Sequence, residues 1–239
     1  IGIAGNLKAI KKKVRFIDED LNRIWLPERL ASLKVQGPKN ADEVEMAQLK
    51  ELINTILEQA SPPFYFIDLH TTSGQTTPFI VMNDSLLNRR FTNTVPYPTI
   101  LGIEEYLQGA LLSHINELGY VSIGFESGQH DSIKAIANAE AFVWKTLHRT
   151  GFYTKKLKNK AVIGQSKKTK FNRFYEIYHQ YLIKDNARFS MKPGYTNFQF
   201  VPKGEIIAHD NGAPLITKKT RQLFMPLYQN KGREGFYYI

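Results

Sequence analysis

The stretch that decides the fold is Phe64-Tyr-Phe-Ile-Asp-Leu-His70, which is followed by the turn-rich Thr71-Thr-Ser-Gly74. A short apolar run that stops at a polar side chain and a glycine-containing turn predicts a buried strand ending at His70. The preceding residues 40–60 repeat apolar side chains at helical spacing, and Ser61-Pro62-Pro63 ends that helix. A helix that leads into a buried strand is the repeating unit of an α/β sheet.

The same alternation continues along the chain to about residue 150. Further elements are predicted from buried apolar runs and from helical periodicity that a glycine closes. They are a strand at Phe79–Met82, a helix over Ile103–Leu118 ending at Gly119, a strand at Tyr120–Glu126 and a helix over Ser132–His148. The first residues, Ile1-Gly-Ile-Ala4, also have the apolar character of a strand interior. The sequence therefore predicts an α/β sheet domain over residues 1–153.

Beyond Gly151 the sequence changes from helical to β-like character. Short segments of strand character alternate with Pro-Gly, Lys-Gly and Asn-Gly turns. They fall at Phe174–Ile183, Phe198–Val201, Glu205–Ala208, Gln222–Met225 and Gly235–Ile239. We expect these segments to form a second, smaller β-rich domain over residues 154–239.

Composition excludes several classes of protein. The chain has 239 residues, of which 42% are hydrophobic and 12% aromatic, so it can bury a core and is neither disordered nor collagen-like. No apolar run is long enough to cross a membrane, and no membrane partner is predicted. The absence of cysteine excludes disulfides and thiolate metal sites and favours a cytoplasmic location. The oligomeric state is not predicted.

The net charge of +10 is unevenly distributed. Residues 1–150 carry a net charge of −2 and residues 151–239 carry +12, with basic runs at Lys155–Lys160 and Lys167–Lys170. Aromatic and basic residues alternate in Lys170-Phe-Asn-Arg-Phe-Tyr175, as in single-strand nucleic-acid binders. However, a β-rich domain needs aromatic residues for its own core, and the chain has no nucleic-acid motif. We expect no nucleic-acid partner and interpret the positive charge as an attraction for small anions.

Two polar side chains, His70 and Glu126, each follow a predicted buried strand and precede a turn. Ligands of open α/β sheets bind at the carboxyl ends of strands, where a histidine can bind a metal and a glutamate can transfer protons. Alternatively, His70 only caps its strand and Glu126 only makes a local hydrogen bond. Their occurrence together favours a functional site.

A charged stretch, Arg15-Phe-Ile-Asp-Glu-Asp-Leu-Asn-Arg23, lies upstream of both. Its acidic residues are typical of a helix N-terminus, where the helix dipole favours negative charge. Its arginines and asparagine are residue types that bind carboxylates, because a guanidinium offers two parallel hydrogen bonds. Both interpretations stay open on these residues alone.

Four motifs in this order resemble those of one family. They are Gly5-Asn6-Leu-Lys-Ala9, Arg15–Arg23, Asp68-Leu-His-Thr-Thr72 and Gly124-Phe-Glu-Ser-Gly-Gln-His130. Through them the chain is similar to the succinylglutamate desuccinylase/aspartoacylase family of zinc carboxypeptidase-like hydrolases, and the similarity continues to Gly232-Arg-Glu-Gly-Phe236. The resemblance implies an α/β fold, with a zinc-carboxypeptidase-like mixed sheet flanked by helices and a smaller β-rich C-terminal domain.

The resemblance also implies a role for each site residue. His70 matches a zinc ligand, and Glu126 matches the carboxylate that activates water and then protonates the leaving amine. Arg15 matches the residue that stabilises the oxyanion of the reaction. Asn22 and Arg23 match the pair that binds the carboxylate of the substrate. Asn6 lies in a motif that lines the same pocket.

The family's other two zinc ligands, a histidine and a glutamate, come from a Gly-Thr-His-Gly-Asn-Glu-like run near the N-terminus. This sequence contains no such run. We expect these two ligands upstream of Ile1; the alternative is a chain that has lost its metal. Asp68, two residues before His70, could orient the His70 ring.

The resemblance thus implies a hydrolase with one Zn²⁺ per chain that cleaves the amide bond of an N-acyl amino acid or a similar small carboxylate. The partner is then a small anionic N-acyl amino acid. Two alternatives remain: a zinc carboxypeptidase that acts on peptides, and a metal-free binding protein that uses its basic C-terminal domain.

Overall fold

The structure, a computed structural model, describes residues 1–93, 95–155, 174–229 and 232–239. It divides into two compact units, of which the first consists of Ile1–Phe66 and Glu104–Ser122 and the second of Ile67–Ile103 and Ile123–Ile239. The domain boundary between residues 153 and 154 was inferred from composition, and it stays a prediction.

The described residues form six α-helices. They are α1 (Leu7–Lys12), α2 (Pro27–Gln36), α3 (Ala41–Gln59), α4 (Leu86–Thr92), α5 (Leu111–Glu117) and α6 (Ile133–Arg149). The side chain of Asn40 caps α3 by accepting a hydrogen bond from the Glu43 N–H at 2.8 Å. The sequence therefore located the start of α3 correctly. None of the helices in the described ranges is long and apolar enough to cross a membrane.

Twelve strands are formed by the described residues. They are β1 (Tyr65–Thr72), β2 (Phe79–Val81), β3 (Thr99–Leu101), β4 (Val121–Gln129), β5 (Phe174–Glu176), β6 (His179–Leu182), β7 (Phe189–Met191), β8 (Phe200–Val201), β9 (Ile206–Asp210), β10 (Ala213–Ile216), β11 (Arg221–Phe224) and β12 (Glu234–Tyr238). The five-stranded sheet has the order β1-β4-β2-β3-β5. It is mixed, because β2 pairs with β3 in parallel and with β4 antiparallel. This confirms the predicted α/β fold with a mixed sheet.

The C-terminal part of the chain is rich in β-structure, as predicted. Its strands form a three-stranded sheet, β10-β9-β7, and a four-stranded sheet, β6-β12-β11-β8. The predicted strand at Phe174–Ile183 is two strands, and the first of them, β5, pairs in parallel with β3 of the five-stranded sheet. The basic runs of residues 156–160 and 167–170 lie outside the described residues, as does most of Lys170–Tyr175.

The predicted helix over Ile103–Leu118 is only partly formed: its second half is helical, but the continuous helix is wrong. A 3-10 turn at Ile103–Glu105 and the short helix α5 replace it. The break occurs at Gly109, whose φ of +68° is outside the helical range. A β-carbon on Gly109 would lie 2.1 Å from the carbonyl oxygen of Arg23, so a tertiary approach of two backbones overrides the helical pattern.

The strand character assigned to Ile1–Ala4 is also wrong. These four residues have no regular secondary structure, and Ile1 is 95% exposed. A strand needs a hydrogen-bonded neighbour, and residues 1–4 join none of the three sheets described. The helix α1 begins shortly afterwards, after Asn6 in a left-handed conformation.

Each unit has its own hydrophobic core. In the first unit, Ile24 and Trp25 pack with Met46 and Leu49 of α3. In the second unit, Phe125 of β4 stacks on Phe142 of α6, with ring centroids 3.9 Å apart and an interplanar angle of 6°. The ring of Tyr97 meets both of them edge to face. Burial of these rings fixes β4 and α6 against each other.

Candidate active site

The carboxyl-terminal parts of β1 and β4 contain His70 and Glu126. The two strands are neighbours in the five-stranded sheet. The hydroxyl of Ser127 donates to the His70 carbonyl at 2.9 Å, and the His130 N–H donates to the Thr72 carbonyl at 2.9 Å. Since these contacts advance in the same direction along both strands, β1 and β4 run in parallel. His70 and Glu126 therefore lie on adjacent strands, near the same edge of the sheet.

The side chain of Glu126 is buried, with 7% of the residue exposed. Its neighbour Phe125 packs into the aromatic core against Phe142, and successive strand residues point to opposite faces. Glu126 thus faces away from that core. A shielded carboxylate at a strand end can exchange protons with a bound substrate with little competition from solvent.

His70 is held by a carboxylate two residues earlier on the same strand. The Nε2 atom of His70 lies 2.7 Å from Oδ2 of Asp68. Burial alone would raise the pKa of Asp68, but the charge of His70 and its hydrogen bond hold that pKa below its usual value. A carboxylate on one ring nitrogen is the usual means of orienting a metal-binding histidine.

The turn after β1 is fixed by residues of the second unit that are distant in sequence. The hydroxyl of Ser73 accepts a hydrogen bond from the Tyr228 N–H at 3.1 Å. The hydroxyl of Thr71 lies 2.7 Å from Nδ1 of His130. Gly74 approaches Pro226 so closely that a β-carbon there would lie 3.3 Å from that ring. The segment that follows His70 is therefore rigidly supported.

In the first unit, Arg15–Arg23 forms a compact hydrogen-bonded loop. Both Nε and Nη2 of Arg15 bind Oδ2 of Asp20, at 2.9 and 2.8 Å. The other oxygen of Asp20 accepts the Asn22 N–H at 3.0 Å. Asn22 in turn accepts the Leu111 N–H with its side-chain oxygen at 2.9 Å, and Arg23 donates from Nη1 to the Asn22 carbonyl at 2.7 Å. One carboxylate, Asp20, thus connects Arg15 with Asn22.

Asn6 contacts the same loop. Its side-chain nitrogen donates to the carbonyl of Arg15, at 3.4 Å. It precedes α1 without capping it through its side chain. The structure thus brings Asn6, Arg15, Asn22 and Arg23 together within the first unit and His70 with Glu126 within the second.

The described residues do not complete a metal site. In residues 1–93, 95–155, 174–229 and 232–239, no group of three or more histidine, cysteine, aspartate or glutamate side chains could hold a metal ion. His70, with Asp68 on one ring nitrogen, could supply one ligand, whereas a catalytic zinc normally has three from the protein. A His-x-x-Glu spacing does occur at His114–Glu117, but it lies within α5, where the His114 ring stacks on Trp25.

Two residues that contact the loop Arg15–Arg23 were not singled out from the sequence: Gly109, which approaches the Arg23 carbonyl, and Asp42, which accepts the N–H groups of residues 17–19. Gly109 lay inside a predicted helix, where an isolated glycine was the only signal of a close backbone approach. Asp42 lay in the first turn of α3, where an acidic residue is usual and attracts no attention. Neither effect is local in sequence, so neither could be found by pattern.

A protein-family model matches the first part of the chain. Residues 1–137 match the succinylglutamate desuccinylase/aspartoacylase catalytic domain. A curated relative, a probable aspartoacylase of Synechococcus sp. (strain CC9605), is 32% identical over 111 residues. That match covers 46% of this chain and 30% of the relative, so the chain spans about a third of the relative's length.

Solved structures share the fold of this chain at low sequence identity. A succinylglutamate desuccinylase/aspartoacylase from Rhodobacter sphaeroides superimposes with a TM-score of 0.66 at 15% identity, covering 99% of this chain and 72% of its own. Murine aminoacylase 3 gives a TM-score of 0.65 at 15% identity, covering 99% of this chain and 81% of its own. At this level of identity the likeness demonstrates the fold alone.

Proposed function

We propose, from the premise that this chain belongs to the succinylglutamate desuccinylase/aspartoacylase family, that it provides catalytic groups of a zinc-dependent amidohydrolase. The proposed reaction is hydrolysis of the amide bond of an N-acyl amino acid or a similar small carboxylate, in the cytoplasm. One observation carries the proposal: His70, oriented by Asp68, and the buried Glu126 lie on adjacent strands near one sheet edge.

In this proposal Glu126 transfers the protons. It removes a proton from the attacking water and gives one to the departing amine, so that the amine leaves as a neutral product. Its burial shields that exchange from bulk solvent. Amide hydrolysis requires both transfers, and one carboxylate can perform them in turn.

His70 would hold the metal, one zinc ion per chain, with Asp68 fixing the orientation of its ring. Zinc, when bound, supplies a Lewis acid that favours the attack of water on the amide. The remaining ligands are proposed to come from outside the residues described, because those residues contain no complete set.

The loop Arg15–Arg23 is proposed to recognise the anionic substrate. Arg15 would stabilise the negative charge that develops on the carbonyl oxygen, and Arg23 with Asn22 would bind the carboxylate that the substrate already carries. The side-chain oxygen of Asn22 is engaged by Leu111, so its amide N–H groups are what it offers to an anion. Asn6, on the Arg15 carbonyl, would complete the pocket wall.

Metal analysis of the full-length protein tests the proposal. We expect about one zinc per chain, lost together with hydrolysis of N-acyl amino acids when a chelator is added, because zinc affinity and catalysis share His70. Activity should return on adding zinc. A folded full-length protein that contains no metal and hydrolyses nothing would instead support the metal-free binding protein.

A substrate panel separates the amidohydrolase from a peptidase. N-acetyl and N-succinyl amino acids are compared with short unblocked peptides at equal concentration. The proposal expects higher kcat/KM on the N-acyl amino acids. A preference for the peptides would favour the zinc carboxypeptidase.

Two arginine substitutions should have different kinetic signatures. Arg23→Ala should raise KM roughly 10- to 100-fold with little change in kcat, because a charge-assisted hydrogen bond to a bound carboxylate contributes about 1.5–3 kcal/mol. Arg15→Ala should instead lower kcat about 100-fold or more, because its charge acts on the transition state. Steady-state kinetics on one N-acyl amino acid measure both.

The matched control for these two variants is Arg149→Ala, at the exposed C-terminal end of α6. It removes the same charge at an exposed residue that has no role in the proposal and should leave both constants unchanged. Equal effects of Arg15→Ala and Arg23→Ala on KM alone would contradict the division of roles.

A further inference from the structure

Asp42 is a buried carboxylate that binds the substrate loop rather than its own helix. It lies in the first turn of α3 and is only 1% exposed. Its Oδ2 atom accepts the N–H groups of Asp18 at 2.7 Å and Glu19 at 3.1 Å, and Oδ1 accepts that of Ile17 at 3.5 Å. Three consecutive backbone amides therefore converge on one side chain.

Capping of α3 does not explain this arrangement. Asn40 already occupies the N-cap position and binds the Glu43 N–H. The amides that Asp42 binds belong to residues 17–19, which are 23 to 25 positions earlier in the sequence. Burial of a carboxylate is unfavourable unless it is hydrogen-bonded, so the loop and Asp42 stabilise each other.

The loop returns contacts to the same helix end. Oδ2 of Asp18 accepts the Ala41 N–H at 2.9 Å, and Oε2 of Glu19 accepts from the Asn40 side chain at 3.1 Å. Glu19 also binds Arg29, which lies 3.3 Å from Oε1 of Glu43. Asp18 and Glu19 thus attach the loop to the start of α3.

The attachment point lies between the two groups that the proposed function assigns to the substrate. Arg15 precedes residues 17–19 by two positions, and Asn22 and Arg23 follow them by three and four. Because residues 17–19 are held in place, Arg15 and Arg23 on either side of them can adopt only a limited range of positions. A loop that is ordered in advance loses less conformational entropy when the substrate binds.

We infer that Asp42 is a positioning residue that holds residues 17–19 and thereby places Arg23 for the carboxylate of the substrate and Arg15 for the developing oxyanion. This rests on the proposed function for the roles of the two arginines. Asp42 itself does not touch the substrate. Its effect is on the loop backbone, so it should appear in substrate affinity and in amide protection.

The test uses the full-length protein and three variants. Asp42→Ala removes all three acceptors. Asp42→Asn keeps one side-chain oxygen, which can still accept the Asp18 and Glu19 N–H groups. Its KM and its amide exchange rates should therefore be close to those of the wild type. Ile53→Ala deletes a buried side chain of the same helix without touching the loop and controls for general destabilisation of α3.

We expect Asp42→Ala to raise KM for N-acetylglutamate about 10-fold more than Ile53→Ala does. Without Asp42 the loop is no longer held, so Asn22 and Arg23 lose their fixed positions for the substrate. The increase should be much smaller for the corresponding ester without a free carboxylate. Hydrogen exchange at the amides of Asp18 and Glu19 should be at least about 10-fold faster than in the wild type. Asp42→Asn should lie close to the wild type in both measurements.

Two results would overturn the inference. One is unchanged exchange at these amides in Asp42→Ala; the other is faster exchange with a KM equal to that of Ile53→Ala. Failure of the proposed function looks different: the wild type itself would not hydrolyse N-acyl amino acids. In that case two measurements on wild type and Asp42→Ala still test the role of Asp42. They are hydrogen exchange at the Asp18 and Glu19 amides, expected to be faster in the variant, and equilibrium binding of N-acetylglutamate, expected to be weaker.

Discussion

Glu126→Gln is expected to reduce turnover of an N-acyl amino acid by about 10²- to 10⁴-fold, the range that a positioned general acid–base supplies. Glutamine has the same shape as glutamate and can keep the fold of β4, but it cannot accept or release the proton. Because Glu126 is proposed to act on protons and not on the metal, the zinc content should stay unchanged. KM should change little, since substrate affinity depends on the loop Arg15–Arg23.

The measurements are kcat, KM, zinc per chain and the thermal midpoint of unfolding. Glu140→Gln makes the same change at an exposed position of α6 and is the matched control, with unchanged kinetics expected. Retained turnover in Glu126→Gln would refute the proton-transfer role. Loss of zinc together with activity would show that Glu126 supports the metal instead.

Gly109→Ala is expected to destabilise the first unit and to weaken substrate binding at the same time. The new β-carbon would lie 2.1 Å from the Arg23 carbonyl oxygen and 3.1 Å from the Ile24 nitrogen, both of which are backbone atoms. One of the two backbones must move. The Gly109 φ of +68° adds about 1–2 kcal/mol of conformational strain for a residue with a β-carbon.

Together with the steric conflict, this predicts a loss of about 3 kcal/mol or more in the free energy of unfolding. The displacement also reaches the site, because Gly109 accepts the Trp25 N–H at 3.0 Å and Leu111 binds the side chain of Asn22. A rise in KM of about 10-fold or more should therefore accompany the loss of stability.

Gly119→Ala provides the control for this prediction. Gly119 also has a positive φ, +88°, but no atom lies within 4 Å of the position that its β-carbon would occupy. This variant should lose only the conformational cost, about 1 kcal/mol, and its KM should equal that of the wild type. Equal destabilisation of the two variants by chemical denaturation would show that the Arg23 contact contributes nothing.

The elements that the sequence located correctly share a strong local signal. The helix α3 was predicted from apolar side chains that repeat at helical spacing and from the prolines that follow it, and β1 and β4 from apolar runs that stop at a polar turn. The helix depends on interactions within a few residues, and β4 on burial of a continuous stretch. The expectation of a buried strand that ends at His70 is wrong in part, because β1 is the terminal strand of its sheet, continues to Thr72 and exposes 45% of Leu69. The strand β3 was not recognised, because its three residues directly follow Pro96-Tyr-Pro98, a pattern typical of loops.

The residue types of the candidate site were likewise visible in the sequence. The motifs around Arg15, His70 and Glu126 pointed to a hydrolase family, and the match over residues 1–137 confirms that family. The metal ligands beyond His70 were not identified among the described residues. Roles for individual residues depend on chemistry that only activity measurements can test.

By itself, then, the sequence determined the α/β class, the family and the side chains available for chemistry, because periodicity, turns and motifs are properties of adjacent residues. Only the tertiary structure decided how those side chains are held. Asp42 binds amides more than 20 residues away, and Gly109 breaks a helical pattern because the backbone of Arg23 passes beside it. Contacts between distant segments leave no local pattern, since their free energy depends on which surfaces the folded chain brings together.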